Sequence, residues 1–274
     1  MVGEMSFQGT SANALDELPC RYGESKLLMR GPRREPRGPY FAVLGGTETY
    51  GKFVANPFPT LLEQDLDKMV VNLGSVNAGL DSFVYDRDVL DVAAGAECCL
   101  IQVLGAQNLT NRFYRVHPRR NDRFLEPSAL LRSIYPEVDF TEFNFTNHML
   151  RSLEARAPDR FLPIVDELKS AWSKRMKLLF KAVGRKPLLI WVRHKMSRPY
   201  DKFGDPALVD RAMLEELEPQ TRGIVEIMVP RAAQGGEMDG MMYGNLQAPL
   251  AEHMIGPVGH RSIAERLLPL LGAE

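Results

Sequence analysis

The 274-residue sequence has few cysteines, no excess of charge and no long apolar run. Its cysteines are Cys20, Cys98 and Cys99, an odd and sparse set that argues against a disulfide scaffold and predicts a reducing compartment. A net charge of -1 gives no field that would attract nucleic acid or an anionic membrane. No segment reaches the roughly 18 apolar residues of a spanning helix, and residues 1–20 lack the apolar stretch of a secretory signal. We therefore expect a cytoplasmic globular protein with neither a membrane nor a nucleic-acid partner.

The apolar residues that are present form five short segments separated by helical patterns. These segments are residues 41–44, 69–73, 98–104, 188–192 and 224–229. Helical patterns occur at about 60–68, 88–96, 205–218 and 259–271, the third with Asp205 as its cap and Pro206 in its first turn. Short buried strands alternating with helices are typical of a parallel sheet covered on both faces. The prediction is a three-layer, flavodoxin-like α/β fold with about five strands.

The rest of the chain divides around this pattern. Residues 1–40 are expected to be an N-terminal extension that ends in a basic loop rich in proline and glycine. Residues 41–274 would form the α/β domain. Residues 109–186 contain no strong strand pattern and are expected to be a helical insertion after the third strand, with helices at about 127–135, 146–156 and 162–183.

A glycine-rich segment, 45–51, follows the first predicted strand, at the edge where open α/β sheets bind ligands. Residues 46–52 fit the spacing of a phosphate-binding P-loop. However, Phe53 occupies the position of the magnesium-binding Ser or Thr, and Pro57 and Pro59 prevent a long helix. A nucleotide-binding or transferase function is therefore an alternative hypothesis.

The same segment resembles the G-D-S-x-T-x-G turn of the SGNH (GDSL-like) hydrolase superfamily. Gly45, Thr49 and Gly51 match that pattern, whereas Gly46 replaces the aspartate and Thr47 replaces the nucleophilic serine. The resemblance implies an ester hydrolase or O-acyltransferase in which the Thr47 hydroxyl attacks a carbonyl carbon once a base takes its proton.

Later segments resemble the remaining SGNH blocks in order. Gly74 or Gly79 would supply an oxyanion-binding amide, and Gln107 or Asn108 would supply a side-chain donor. The general base would be His253, with His260 at the start of the last predicted helix as the second candidate. The acidic partner expected three residues before His253 is replaced by Leu250.

Two further interpretations remain open. The glycine turn is also compatible with a catalytically lapsed, ligand-binding protein. In addition, the whole chain resembles an uncharacterised bacterial family of unknown function, through the words GGTETYGKF at 45–53 and HPRRNDRF at 117–124.

Several charged residues are candidates for substrate contacts. Gly46 and Glu48 flank Thr47 and are expected to face the substrate. The basic candidates within 112–120 are Arg112, Arg115, His117, Arg119 and Arg120. Arginine forks suit anionic groups, so these residues would clamp an acidic or acylated carbohydrate ester; alternatively, they pair with Asp122, Glu126 and other nearby acids.

Metal and cofactor chemistry has no support in the sequence. His148 and His194 are single histidines without partners at metal-ligand spacing, and we interpret them as structural. We expect neither a metal nor a cofactor.

Overall fold

The computed structural model describes residues 18–194, 202–204 and 206–272, and its largest element is a five-stranded parallel sheet. Its strands are β1 (Phe41–Gly45), β2 (Val70–Gly74), β3 (Cys98–Gln102), β6 (Leu188–His194) and β7 (Gly223–Val229). Their spatial order is β2-β1-β3-β6-β7, with every pairing parallel. This is the flavodoxin-like order. The chain passes from β1 to β2 on one side and from β3 to β6 and β7 on the other, so the connections diverge between β1 and β3.

Helices connect the strands and cover both sides of the sheet. The helices are α1 (Thr47–Tyr50), α2 (Phe58–Leu66), α3 (Leu80–Val84), α4 (Arg87–Gly95), α5 (Ala129–Ile134), α6 (Thr146–Arg156), α7 (Pro158–Val183), α8 (Arg211–Leu217), α9 (Ala232–Gly235), α10 (Ala248–Ala251) and α11 (Pro257–Leu271). No helix in the described part of the chain is both long enough and apolar enough to cross a membrane.

The sheet separates two apolar cores because side chains alternate between its faces along each strand. Phe41 and Val43 of β1 pack with α2 and α11, while Ala42 and Leu44 pack on the opposite face with α3, α4 and α7. The three-layer α/β fold expected from the sequence is confirmed.

The segment after β3 differs from its prediction. It begins with an antiparallel hairpin of β4 (Tyr114–His117) and β5 (Arg120–Pro127), and only then becomes helical. No strong strand pattern was recognised in the sequence of this region, and the hairpin was therefore missed. The alternation of buried Tyr114 and Val116 with exposed Arg115 is a strand signal, but the arginine-rich composition masked it.

Two other boundaries also differ from the sequence expectation. Asp205 lies outside the described residues. The helix expected from 205 begins at Arg211, where the Asp210 side chain accepts a hydrogen bond from Met213 N at 3.0 Å. Residues 18–40 are in contact with the domain, because Tyr22, Leu27 and Met29 belong to the core on one side of the sheet.

Candidate functional site

A cavity of about 660 Å³ opens at the carboxyl ends of the parallel strands. Its lining includes Gly46 and Thr47 after β1 and Gln102 and Val103 at the end of β3. β1 and β3 are the strands between which the connections diverge, the usual ligand position in this fold. The volume is that of a small-molecule site.

Gln102 holds the glycine turn in place. Its Oε1 accepts hydrogen bonds from Gly46 N (3.0 Å), Thr49 N (3.3 Å) and Thr49 Oγ1 (2.7 Å). Its Nε2 donates to Glu48 Oε2 at 2.8 Å. The turn and the Glu48 carboxylate are therefore fixed by a neighbouring strand, a role that the sequence interpretation missed.

Thr47 is half-buried at the start of α1 and lines the cavity. Its Oγ1 accepts a hydrogen bond from Asn77 N at 3.0 Å. An amide N–H donated to this oxygen favours its deprotonated form. The hydroxyl proton has no acceptor among the described residues, so it is available to a base or a ligand.

Two histidines line the same cavity. His253 is exposed and follows α10, with Leu250 beside it in the lining. His194 is only 7% exposed at the end of β6, and its Nδ1 has no hydrogen-bond partner among the described residues. Burial lowers the pKa of His194, although the nearby Glu48 carboxylate opposes this effect and Arg231 adds to it.

His194 therefore has a position that the sequence interpretation did not anticipate. A structural histidine is expected to have its ring nitrogens satisfied, whereas this cavity-lining residue has a buried, unpaired Nδ1 in the described structure. Its location at the carboxyl end of the fourth parallel strand was a usable signal, since ligands collect at that edge.

The two glycines predicted to bind an oxyanion do not fit that role. Gly74 is absent from the cavity lining, and its amide donates to Asn72 Oδ1 at 2.8 Å. Gly79 lines the cavity, but its amide donates to Asn121 Oδ1 at 2.8 Å. Both amides are thus already used within the protein.

Gln107 and Asn108 both line the cavity, as their predicted role requires. Asn108 Oδ1 accepts from Thr146 Oγ1 at 2.7 Å, while its Nδ2 has no partner in the described part of the chain. Gln107 is buried, with its backbone oxygen held by Tyr114 Oη at 2.6 Å and its Oε1 unpaired. Asn108 is consequently the better candidate for an oxyanion donor.

Asp122 is a further cavity residue that the sequence interpretation did not select as a ligand contact. Its Oδ1 is buried without a hydrogen-bond partner among the described residues, and its Oδ2 lies 3.6 Å from Arg120 Nη2. Burial raises the pKa of Asp122, an effect that Arg120 reduces. An unpaired buried polar atom costs about 1–3 kcal/mol, so it marks a place where a partner would be favourable.

The predicted basic clamp does not reach the cavity. None of Arg112, Arg115, His117, Arg119 and Arg120 belongs to its lining. Arg112 pairs with Glu167 and Arg115 pairs with Glu126, each at 2.8 Å. His117 Nδ1 accepts from the backbone amides of Arg119 and Arg120. This arrangement agrees with the alternative in which the segment pairs with nearby acids.

The P-loop interpretation also lacks its anion cradle. The helix after the glycine turn has only four residues, and Gly51 N donates to the backbone oxygens of Thr47 and Glu48 as its C-cap. Lys52 Nζ lies 5.0 Å from the centre of the Phe53 ring, and Lys52 does not line the cavity. A phosphate group in the cavity would therefore find the Gly51 amide already used and the Lys52 ammonium outside the lining.

His260, the weaker candidate for the base, is a structural residue. Its side chain is 1% exposed, and its Nδ1 accepts from Phe58 N at 3.2 Å. Across the described residues, no group of three or more His, Cys, Asp or Glu side chains could hold a metal ion.

Comparison with known proteins gives a family but no activity. No curated protein matches the sequence. One similar solved structure is named "Salicylyl-Acyltransferase SsfX3 from a Tetracycline Biosynthetic Pathway", with 8% sequence identity and a TM-score of 0.40; the match covers 88% of this chain and 59% of that chain. The chain thus spans less than two thirds of that protein's length. Residues 5–274 match the model of one family over nearly the whole sequence, and the protein belongs to that family, Domain of unknown function (DUF6473).

Proposed function

We propose that this protein is an SGNH-like ester hydrolase or O-acyltransferase. The observation that carries the proposal is that one cavity is lined by Thr47, which has a hydroxyl, His253, which has an imidazole, and Asn108, which has a carboxamide. These are the three kinds of group that acyl transfer needs: a nucleophile, a base and an oxyanion donor.

In the proposed reaction, Thr47 Oγ1 attacks the ester carbonyl carbon while His253 accepts the hydroxyl proton. The carbonyl oxygen carries the negative charge near Asn108 Nδ2. The C–O bond to the alcohol then breaks, and the alcohol leaves with the proton from His253. Water or a second alcohol attacks the acyl-threonine, which releases an acid or a new ester and restores the Thr47 hydroxyl.

Hydrolysis of p-nitrophenyl acetate tests these roles. Because base catalysis and a nucleophile contribute about 100-fold or more, Thr47→Ala and His253→Ala should each reduce kcat/KM by at least that factor. Thr47→Ser should keep or raise activity, since serine lacks the crowding methyl group. His148→Ala, at an exposed histidine outside the cavity, is the matched control and should change little. Activity that survives in both alanine variants would refute the proposal.

A ligand-binding protein without catalysis is the second candidate. The observation in its favour is that no imidazole is hydrogen-bonded to Thr47 Oγ1 in the described part of the chain; its partner is the Asn77 amide. This alternative predicts no turnover by the wild-type protein, together with thermal stabilisation by a ligand of the cavity.

A further inference from the structure

Unpaired buried polar atoms are concentrated at the cavity. Four buried side-chain nitrogen or oxygen atoms in the described residues have no hydrogen-bond partner. Three of them, Gln107 Oε1, Asp122 Oδ1 and His194 Nδ1, belong to residues that line the cavity. Buried polar groups in folded proteins are nearly always paired, so a cluster of exceptions at one site indicates that a ligand supplies the missing partners.

The chemistry of these atoms defines what the ligand must offer. A carboxamide oxygen and an ionised carboxylate oxygen only accept hydrogen bonds, so the ligand must donate. His194 Nδ1 accepts or donates according to its tautomer. The final torsions of these three side chains are broad and roughly two-fold, and binding requires each buried atom to turn towards the ligand about that torsion.

Charge at the cavity argues against an anionic ligand. Its described lining contains the carboxylates of Glu48 and Asp122 but neither lysine nor arginine. Two described arginines near the cavity already have partners: Arg120 lies beside Asp122, and Arg231 Nη1 donates to His253 O at 2.9 Å. A phosphate, sulfate or carboxylate would meet negative charge without a compensating partner.

Part of the lining is apolar and suits a ring with exposed C–H groups. It includes Val103, Leu104, Val192 and Leu250. Phe145 also lines the cavity, is 47% exposed and contacts no other aromatic ring among the described residues. A site with a few polar atoms among apolar walls is typical for small-molecule recognition.

We infer that the cavity binds a neutral, hydroxyl-rich ring, a sugar or a similar cyclic polyol, through Gln107, Asp122 and His194. This inference rests on the proposed function only in taking that ring as the alcohol part of the ester. Its hydroxyl groups donate to the unpaired acceptors, and one ring face packs against Phe145.

Binding should be measured in the Thr47→Ala protein, where the proposed chemistry cannot occur. The probes are the methyl glycosides of glucose, galactose and mannose, together with glucuronate and glucosamine as anionic and cationic counterparts. Saturation-transfer NMR and calorimetry should detect at least one neutral glycoside and weaker or absent binding of glucuronate.

Two variants then test the named contacts. Gln107→Met and His194→Phe should each weaken binding of that glycoside by about 3- to 10-fold, the usual effect of one neutral hydrogen bond. Their thermal stability should stay equal or rise, because each removes an atom that is unpaired in the free protein. Gln220→Met, at an exposed glutamine outside the cavity, should leave affinity unchanged.

The outcomes separate this inference from the proposed function. Tighter binding of glucuronate or of glucosamine than of the neutral glycosides would overturn the inference. Absence of any glycoside binding would do the same, even if Thr47-dependent esterase activity were present. Glycoside binding by a protein whose wild type hydrolyses no ester would support the inference and refute the proposed function.

Discussion

Two buried glutamines near the cavity have opposite hydrogen-bonding environments. Gln102 Oε1 accepts three hydrogen bonds from the glycine turn, and its Nε2 donates a fourth to Glu48. Gln107 Oε1 has no partner among the described residues. Both side chains are about 5% exposed or less, so the difference in partners, rather than burial, should decide what each contributes to stability.

Replacing Gln102 with methionine should destabilise the protein strongly. The change keeps a side chain of similar size but removes the acceptor, leaving the amides of Gly46 and Thr49 and the Thr49 hydroxyl without it. Each buried donor left unsatisfied costs about 1–3 kcal/mol, and neighbouring donors are not additive. We expect the free energy of unfolding to fall by about 2–4 kcal/mol in urea titrations.

The same substitution at Gln107 is the matched control. Because its Oε1 makes no hydrogen bond in the described structure, Gln107→Met should change the free energy of unfolding by less than about 1 kcal/mol, in either direction. Equal destabilisation by the two variants would show that shape, and not hydrogen bonding, governs both sites.

At the scale of elements, the unit formed by β1, the glycine turn and α1 positions Thr47. α1 has four residues and is followed by its C-cap Gly51, which has φ = +72°, in the left-handed region. A Cβ at Gly51 would lie 2.1 Å from Pro57 Cβ. The turn therefore needs glycine for two reasons, its backbone conformation and its close contact with the next segment.

Gly51→Ala should consequently lower the free energy of unfolding more than the same change at a glycine that has the same backbone conformation but free space where the Cβ would lie. Gly184 ends α7 with φ = +73°, and a Cβ added there would have no atom within 4 Å. Alanine in the left-handed region costs about 1–2 kcal/mol, which is the expected loss for Gly184→Ala.

Gly51→Ala adds the contact with the proline ring and should exceed that loss by at least about 1 kcal/mol, within the range for overpacking. Thermal and urea unfolding of both variants measure the difference. Equal losses would mean that the turn shifts away from Pro57 at no cost.

The elements also show which signals in the sequence were readable. All five sheet strands were predicted to within about two residues, because buried parallel strands are continuous apolar runs. The hairpin of β4 and β5 was missed, since its arginines hide the alternating pattern. The start of α8 was misplaced because Asp205-Pro206 and Asp210 both fit a helix cap, and local sequence does not choose between them.

At the scale of the whole molecule, strand order explains why the site could be predicted only in part. A glycine turn after β1 of a parallel sheet indicates where ligands bind. Thr47 belongs to that turn, so its position at the ligand-binding edge could be predicted from the sequence. Gln102, Asp122 and His194 reach the same cavity from three other segments. Their convergence depends on the packing of β3, β5 and β6; the position of His194 at the end of a parallel strand is a local signal for it, whereas Asp122 lies in a hairpin that the sequence pattern did not reveal.

One contact between the last helix and the first half of the chain involves a buried histidine, and this contact should make stability depend on pH. His260 in α11 accepts from Phe58 N in α2, across 202 residues of sequence. Burial, with a smaller contribution from Arg30, lowers the pKa of His260 to about 3. The unfolded chain has an ordinary histidine pKa of about 6.5.

Between these two values the unfolded state binds one proton more than the folded state. Stability from this residue is therefore fully present above about pH 6.5 and is lost as the pH falls, by up to about 1.4 kcal/mol per pH unit. His260→Gln keeps an acceptor for Phe58 N but cannot be protonated. Urea unfolding at pH 6.5, 5.5 and 4.5 should give a smaller loss of stability per pH unit in the variant than in the wild type. The same slope in both proteins would mean that His260 takes up its proton without unfolding, and that α11 and α2 can separate at this contact while the sheet stays intact.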